Sequence, residues 1–174
     1  MPATPEELYR RLDALGIPYV VHHHPPLHTV AESVVLRGSL PGGHCKSLFL
    51  IDRKGGLWLV VVLEDRRLDL KALADRLGAP RFSFASPERL YEKLGVHPGS
   101  VTPFALMNDP AHKVAVVLDA RMLEYDPLNY HPLVNTATLA LTPPDLLKFI
   151  GDCGHRPRLL ALDDIDRAAA GGAG

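Results

Sequence analysis

Two apolar runs, Ser47–Asp52 and Leu57–Leu63, stand on either side of the turn Arg53–Gly56. Strand-forming residues broken by a Lys-Gly-Gly turn predict a hairpin. Around it, strand-like runs at Pro18–His23, Phe104–Met107, Lys113–Leu118, Thr136–Leu141 and Arg158–Leu162 alternate irregularly with short helix signals. That order favours a single α+β domain with a mixed, curved central sheet and flanking helices over a regular doubly wound fold.

The helix signals carry their own start and stop residues. Thr4-Pro5-Glu6-Glu7 reads as a capping box with proline in the first turn; Leu8, Leu12 and Leu15 follow on one face, and Gly16 ends the helix. Thr29-Val30-Ala31-Glu32 opens a second short helix, expected to stop by Gly38. Asp69–Leu77 is closed by Gly78, a helix starting at Ser86-Pro87-Glu88 is closed by Gly95, and Thr142-Pro143-Pro144-Asp145 caps a last helix through Ile150. Residues 1–167 are expected to form the domain and 168–174, AAAGGAG, a flexible tail.

The chain has 174 residues, enough for one domain with a real core. Its formal net charge of −1 implies no broad basic surface of the kind that grips long duplexes, so DNA is not an expected partner. The two cysteines, Cys45 and Cys153, lack CxxC spacing, which fits a reducing cytoplasm better than a disulfide framework. The N-terminus lacks the apolar core of a signal peptide, and no apolar run reaches the length of a membrane span.

The stretch Asn129–Thr138, NYHPLVNTAT, sets His131 and Asn135 four residues apart in a run otherwise rich in apolar and hydroxyl side chains. Pro132 argues against a helix interior and pushes His131 towards extended geometry. Two readings follow. Both side chains can cap backbone groups in a tight turn, or they can face one space as the rim of a pocket.

Other residues offer chemistry. Lys46 follows the glycine-containing loop SLPGGHCK and stands at the mouth of an apolar strand, where its ammonium can meet a phosphate or a carboxylate, or simply point to solvent. Gly99–Pro103, GSVTP, offers backbone groups where a side chain would block approach, or is a plain connection. His22-His23-His24 invites a metal reading, with His28 or His44 nearby. Adjacent strand residues point to opposite faces, though, and neither HExxH nor a carboxylate cluster accompanies them. No metal or cofactor is therefore expected. Cys45 has no assigned base, and GxSxG is absent.

Taken together, GGHCKSLFLI, Gly99–Pro103, HPLVNTAT and the opening LGIPYVVHHHPP…TVAES resemble the YbaK/prolyl-tRNA-synthetase-associated editing domain superfamily, in particular its free-standing ProX-type branch. The resemblance spans roughly residues 4–165. It implies a barrel-like mixed sheet and a reaction: hydrolysis of the ester between an amino acid and the terminal ribose of tRNA, here alanine on tRNA(Pro). It implies that Lys46 orients the acceptor end or the aminoacyl group. Gly99 would supply backbone contact near the substrate carbonyl, with Ser100 and Pro103 in the same loop. His131 would shape the amino-acid pocket beside Val134 and Asn135. Water attacks with help from the ribose hydroxyl, and no protein nucleophile is used. The implied partners are the tRNA(Pro) acceptor end and a prolyl-tRNA synthetase. Cysteinyl-tRNA(Pro) hydrolysis, a non-catalytic binding module of the same fold and a metal-dependent small-molecule hydrolase are the alternatives.

Overall fold

The structure, a computed structural model, describes residues 1–26 and 40–167 together with Glu32 and Val35. The helix expected between Thr29 and Gly38 lies outside the described stretches, as do His28 and the tail 168–174.

The hairpin forms the middle of the sheet. Strands β2 (Gly43–Asp52) and β3 (Leu57–Leu63) pair antiparallel, from Cys45 opposite Leu63 to Ile51 opposite Leu57. Asp52 fixes the turn: its carboxylate accepts the Lys54 and Gly56 amides at 2.9 Å each and the Trp58 indole N–H at 3.0 Å. The remaining strands are β1 (Val20–His23), β4 (Phe82–Phe84), β5 (Val114–Asp119), β6 (Leu128–Tyr130), β7 (Ala137–Leu141) and β8 (Arg158–Leu160). They order as β1-β7-β6-β2-β3-β5-β8, with β4 also paired to β2. Pairings β2–β6, β3–β5 and β5–β8 are parallel and the others antiparallel, so the sheet is mixed.

Four described α-helices flank it: α1 (Pro5–Ala14), α2 (Leu70–Leu77), α3 (Pro87–Leu94) and α4 (Pro143–Asp152). Each begins at the cap its sequence announced. The Thr4, Asp69, Ser86 and Thr142 side chains accept first-turn amides, each worth about 1 kcal/mol. Gly78 and Gly95 end α2 and α3 in the left-handed region.

The sheet separates two cores. Phe49, Leu59, Val61, Tyr130 and Leu139 share the larger one with α1, α3 and α4, whereas Leu50, Val60 and Val62 meet α2 on the other face. Burying each such leucine or valine contributes about 1.5–3 kcal/mol. Alternation along a strand then assigns faces. Lys46 has the parity of Leu48 and Leu50, and Asn129 lies opposite Leu128 and Tyr130, so both stand on the face away from the larger core.

One expected strand is a helix. Phe104–Met107 falls in the 3-10 helix Pro103–Asn108, where Thr102 Oγ1 accepts the Phe104 amide at 3.4 Å and Pro103 sets the first turn. The three-residue strands β4 and β6 gave no strand signal, whereas the equally short β8 falls inside the expected run Arg158–Leu162.

Candidate functional site

The turn between β6 and β7 is closed by its own histidine. His131 Nδ1 lies 3.2 Å from the Ala137 carbonyl oxygen. A carbonyl only accepts, so Nδ1 carries the hydrogen and, in the neutral ring, Nε2 keeps a lone pair. Burial pushes the imidazole pKa below its ordinary 6.5, which favours that neutral ring. Leu133 holds a φ of +70° and is buried in the larger core. A leucine rarely occupies the left-handed region, so its buried side chain sustains a strained backbone here.

His24 packs beside this turn. Its amide donates to the Thr136 carbonyl at 3.0 Å. Its Nδ1 lies 2.8 Å from the Pro25 carbonyl and its Nε2 2.9 Å from Thr138 Oγ1. Nδ1 must therefore be the donor, and in the neutral ring the threonine hydroxyl donates to Nε2. Residue-type reasoning weighed His24 only as a metal ligand and overlooked Thr138; the strand register, His22 opposite Thr138, is what joins them to the turn.

The Gly99 loop faces the same turn. Gly99 has a φ of +90°, and a β-carbon on it would have Asn135 Nδ2 3.9 Å away. Val134 and Asn135 are half-buried, and Ser100 is buried. The Ser100 amide is already engaged, donating to the His97 carbonyl at 3.0 Å. Pro103 begins the 3-10 helix, whose Phe104 ring sits edge-on to Tyr130 at 6.0 Å and to Phe149 at 5.2 Å. That contact anchors the loop to the residue just before His131.

Lys46 approaches along the sheet. Gly43 and His44 of β2 pair with Leu128 and Asn129 of β6, so Lys46 and His131 each come two residues beyond the last paired position, on neighbouring parallel strands. The Lys46 ammonium is not a free solvent lysine: it donates to the Arg66 carbonyl. Burial lowers its pKa, and the charges of Asp166, Glu64 and Asp65 oppose that shift. Lys46 and His131 thus bond to separate carbonyls, Arg66 and Ala137.

The two cysteines are weak nucleophiles. Burial pushes the Cys45 thiol up to about 12 and the Cys153 thiol to about 11, and both are free. Among the described residues, no group of three or more His, Cys, Asp or Glu side chains is arranged to hold a metal ion. None of the described helices is long and apolar enough to cross a membrane.

A strained, histidine-closed turn and a positive-φ glycine loop thus lie beside one another on a mixed sheet. The chain belongs to the aminoacyl-tRNA editing domain family, whose model matches residues 24–149. It is similar to prolyl-tRNA synthetase associated domain-containing protein 1 of Bos taurus, at 42% identity over 90% of this chain and 94% of that protein. It is also similar to the prolyl-tRNA editing protein ProX of Acetoanaerobium sticklandii, at 35% identity over 87% of this chain and 93% of that protein. A crystal structure of a candidate trans-editing enzyme for prolyl tRNA synthetase superposes with a TM-score of 0.69 at 26% identity, covering 92% of this chain and 99% of that one.

Proposed function

We propose that the protein is a trans-editing deacylase that hydrolyses alanine mischarged on tRNA(Pro), without a metal. The observation that carries this reading is the approach of Gly99 to Asn135, which sets the backbone loop against the His131 turn. The names of the ProX relative and of the structural neighbour support the prolyl-tRNA substrate.

The chemistry asks little of side chains. Water adds to the ester carbonyl carbon, the carbonyl oxygen takes the negative charge, and the bond to the ribose oxygen then breaks with a proton passing to that oxygen. Free alanine and tRNA leave. Aminoacyl esters are activated, so holding water and carbonyl in line supplies much of the acceleration. In this reading Lys46 directs its remaining N–H donors to the acceptor end. Gly99 admits the substrate carbonyl to the backbone, with Ser100 and Pro103 giving the loop its shape. His131, Val134 and Asn135 wall the amino-acid pocket, and the tRNA(Pro) acceptor end is the partner. A prolyl-tRNA synthetase that releases the mischarged tRNA is a natural second partner.

Such an enzyme has a physical reason to exist. A pocket shaped for proline rejects smaller alanine by only about 1–3 kcal/mol per missing methylene, and a second site that admits only the smaller residue supplies the rest. The test is deacylation of a panel of aminoacyl-tRNAs. The reading expects Ala-tRNA(Pro) to be hydrolysed in preference to Cys-tRNA(Pro) and Pro-tRNA(Pro). Faster release of cysteine would replace it with the cysteinyl reading, and release of neither would leave a binding module. The rate should be unchanged after exhaustive chelation, whereas a loss restored by zinc would establish a metal requirement.

A further inference from the structure

Behind Lys46 lies an ionic cluster, buried except for Asp163, that the deacylation chemistry does not use. Arg66 follows β3 and is 3% exposed. Its guanidinium meets Asp119 at 2.7 and 3.0 Å, Asp163 at 2.6 Å and Asp166 at 3.0 Å. Those carboxylates come from the end of β5 and from the segment after β8, so the cluster ties two distant parts of the chain to one residue.

The arrangement reaches Lys46 through a single peptide plane. Asp166 Oδ1 accepts the Arg67 amide at 3.1 Å. In a trans peptide that N–H and the preceding C=O point in opposite directions within one rigid plane. Clamping the Arg67 N–H against Asp166 therefore aims the Arg66 carbonyl the other way, and that carbonyl is the acceptor of the Lys46 ammonium. A surface lysine would wander through many rotamers; this one is held by one of its three N–H donors, leaving two for a ligand.

We infer that Asp166 and Arg66 are positioning residues for Lys46, fixing the Arg66–Arg67 peptide so that the ammonium is presented to the substrate in one orientation. This rests on the role given to Lys46 above. A buried carboxylate–guanidinium cluster is a poor stabiliser when hydrophobic packing could replace it, which suits a geometric purpose. The charge of Asp166 also helps to keep the nearby lysine protonated despite its burial.

The test is a double-mutant cycle with Asp166→Ala and Lys46→Met, read as kcat and KM for the mischarged tRNA. Asp166→Ala alone should lower kcat by about tenfold, the scale of a misplaced catalytic contact, while in the Lys46→Met background it should change kcat no further. Equal losses in both backgrounds, or no loss in either, would overturn the inference. If Asp166→Ala does not fold, Asp166→Asn serves in its place, because it keeps an oxygen for the Arg67 amide; a smaller loss confined to the Lys46 background supports the inference, and one seen in both overturns it. An activity-independent arm uses protein with 15N-labelled lysine side chains. The Lys46 ammonium, assigned by its absence from Lys46→Met, should give a hydrogen-bonded resonance that becomes solvent-averaged in the Asp166 variant. An unchanged resonance would overturn the positioning role. A changed resonance in a protein without deacylase activity would instead sustain it and remove the proposed function.

Discussion

His131 Nδ1 and the Ala137 carbonyl oxygen, 3.2 Å apart, join the two ends of the turn between β6 and β7. The ring is therefore a clasp for the turn, and the proposed function makes it a wall of the pocket as well. The turn-cap reading of its sequence is met by Nδ1, which leaves the rest of the ring for the proposed rim.

The clasp makes stability depend on pH. Burial holds the folded pKa of His131 below 6.5, so as pH falls the unfolded chain takes up this proton before the folded one does. Stability is then greatest above 6.5 and declines as pH drops towards the folded value, by at most about 1.4 kcal/mol per pH unit for one proton. His131→Gln keeps a donor for Ala137 but cannot titrate. Its melting temperature should fall less steeply below pH 6.5 than that of the wild type, and parallel curves would rule the linkage out.

Enlarging the wall should relax selection. His131→Ala removes the ring from a turn whose backbone is locked by Pro132 and by the buried Leu133, so the space stays open rather than collapsing. The ratio of Ala-tRNA(Pro) to Pro-tRNA(Pro) deacylation should drop. A folded variant with an unmoved ratio would leave His131 as a turn clasp alone.

Removing the ammonium should slow the reaction without unfolding the protein. Lys46→Met keeps the apolar stem along β2 and deletes a charge-assisted contact worth about 1.5–3 kcal/mol, or about one to two decades in kcat/KM. Circular dichroism should be unchanged. An undiminished rate would deny the lysine any part in the chemistry.

Gly99→Ala probes backbone and site together. At a φ of +90° any side chain is strained, and the added β-carbon points towards Asn135. The variant should lose roughly 1–2 kcal/mol of stability, or several degrees of melting temperature. Deacylation, measured well below the new melting point, should fall more than Lys46-independent folding losses explain. Wild-type turnover in this variant would show that the loop does not approach the substrate.

What could be read from the sequence follows from range. Local signals succeeded: Asp69 with Gly78, and Ser86 with Gly95, bracket their helices because a cap needs only neighbours within a turn. Phe104–Met107 was misjudged for a related reason, since four apolar residues have no period to tell strand from helix; Thr102 and Pro103 were the overlooked start signal. His131 and Asn135 stood out by residue type, and both lie in the turn between β6 and β7. Its strained Leu133 did not, because a leucine gives no hint of a positive φ. The Arg66 cluster was invisible, as its carboxylates at 119, 163 and 166 meet only after β5 and β8 pair.

The parallel pairing of β2 with β6 has a consequence for biosynthesis. Lys46 belongs to the first strand of that pair, while Gly99 and then His131 leave the ribosome much later. Parallel contacts between segments so far apart close late, since a long loop must be ordered first. A growing chain can thus bury its early hairpin and still have no pocket wall and no loop to receive a carbonyl. In the proposed reading the site is therefore complete only after the strand ending at Tyr130 has docked, Ala137 has closed the His131 turn and the segment carrying Asp166 has followed.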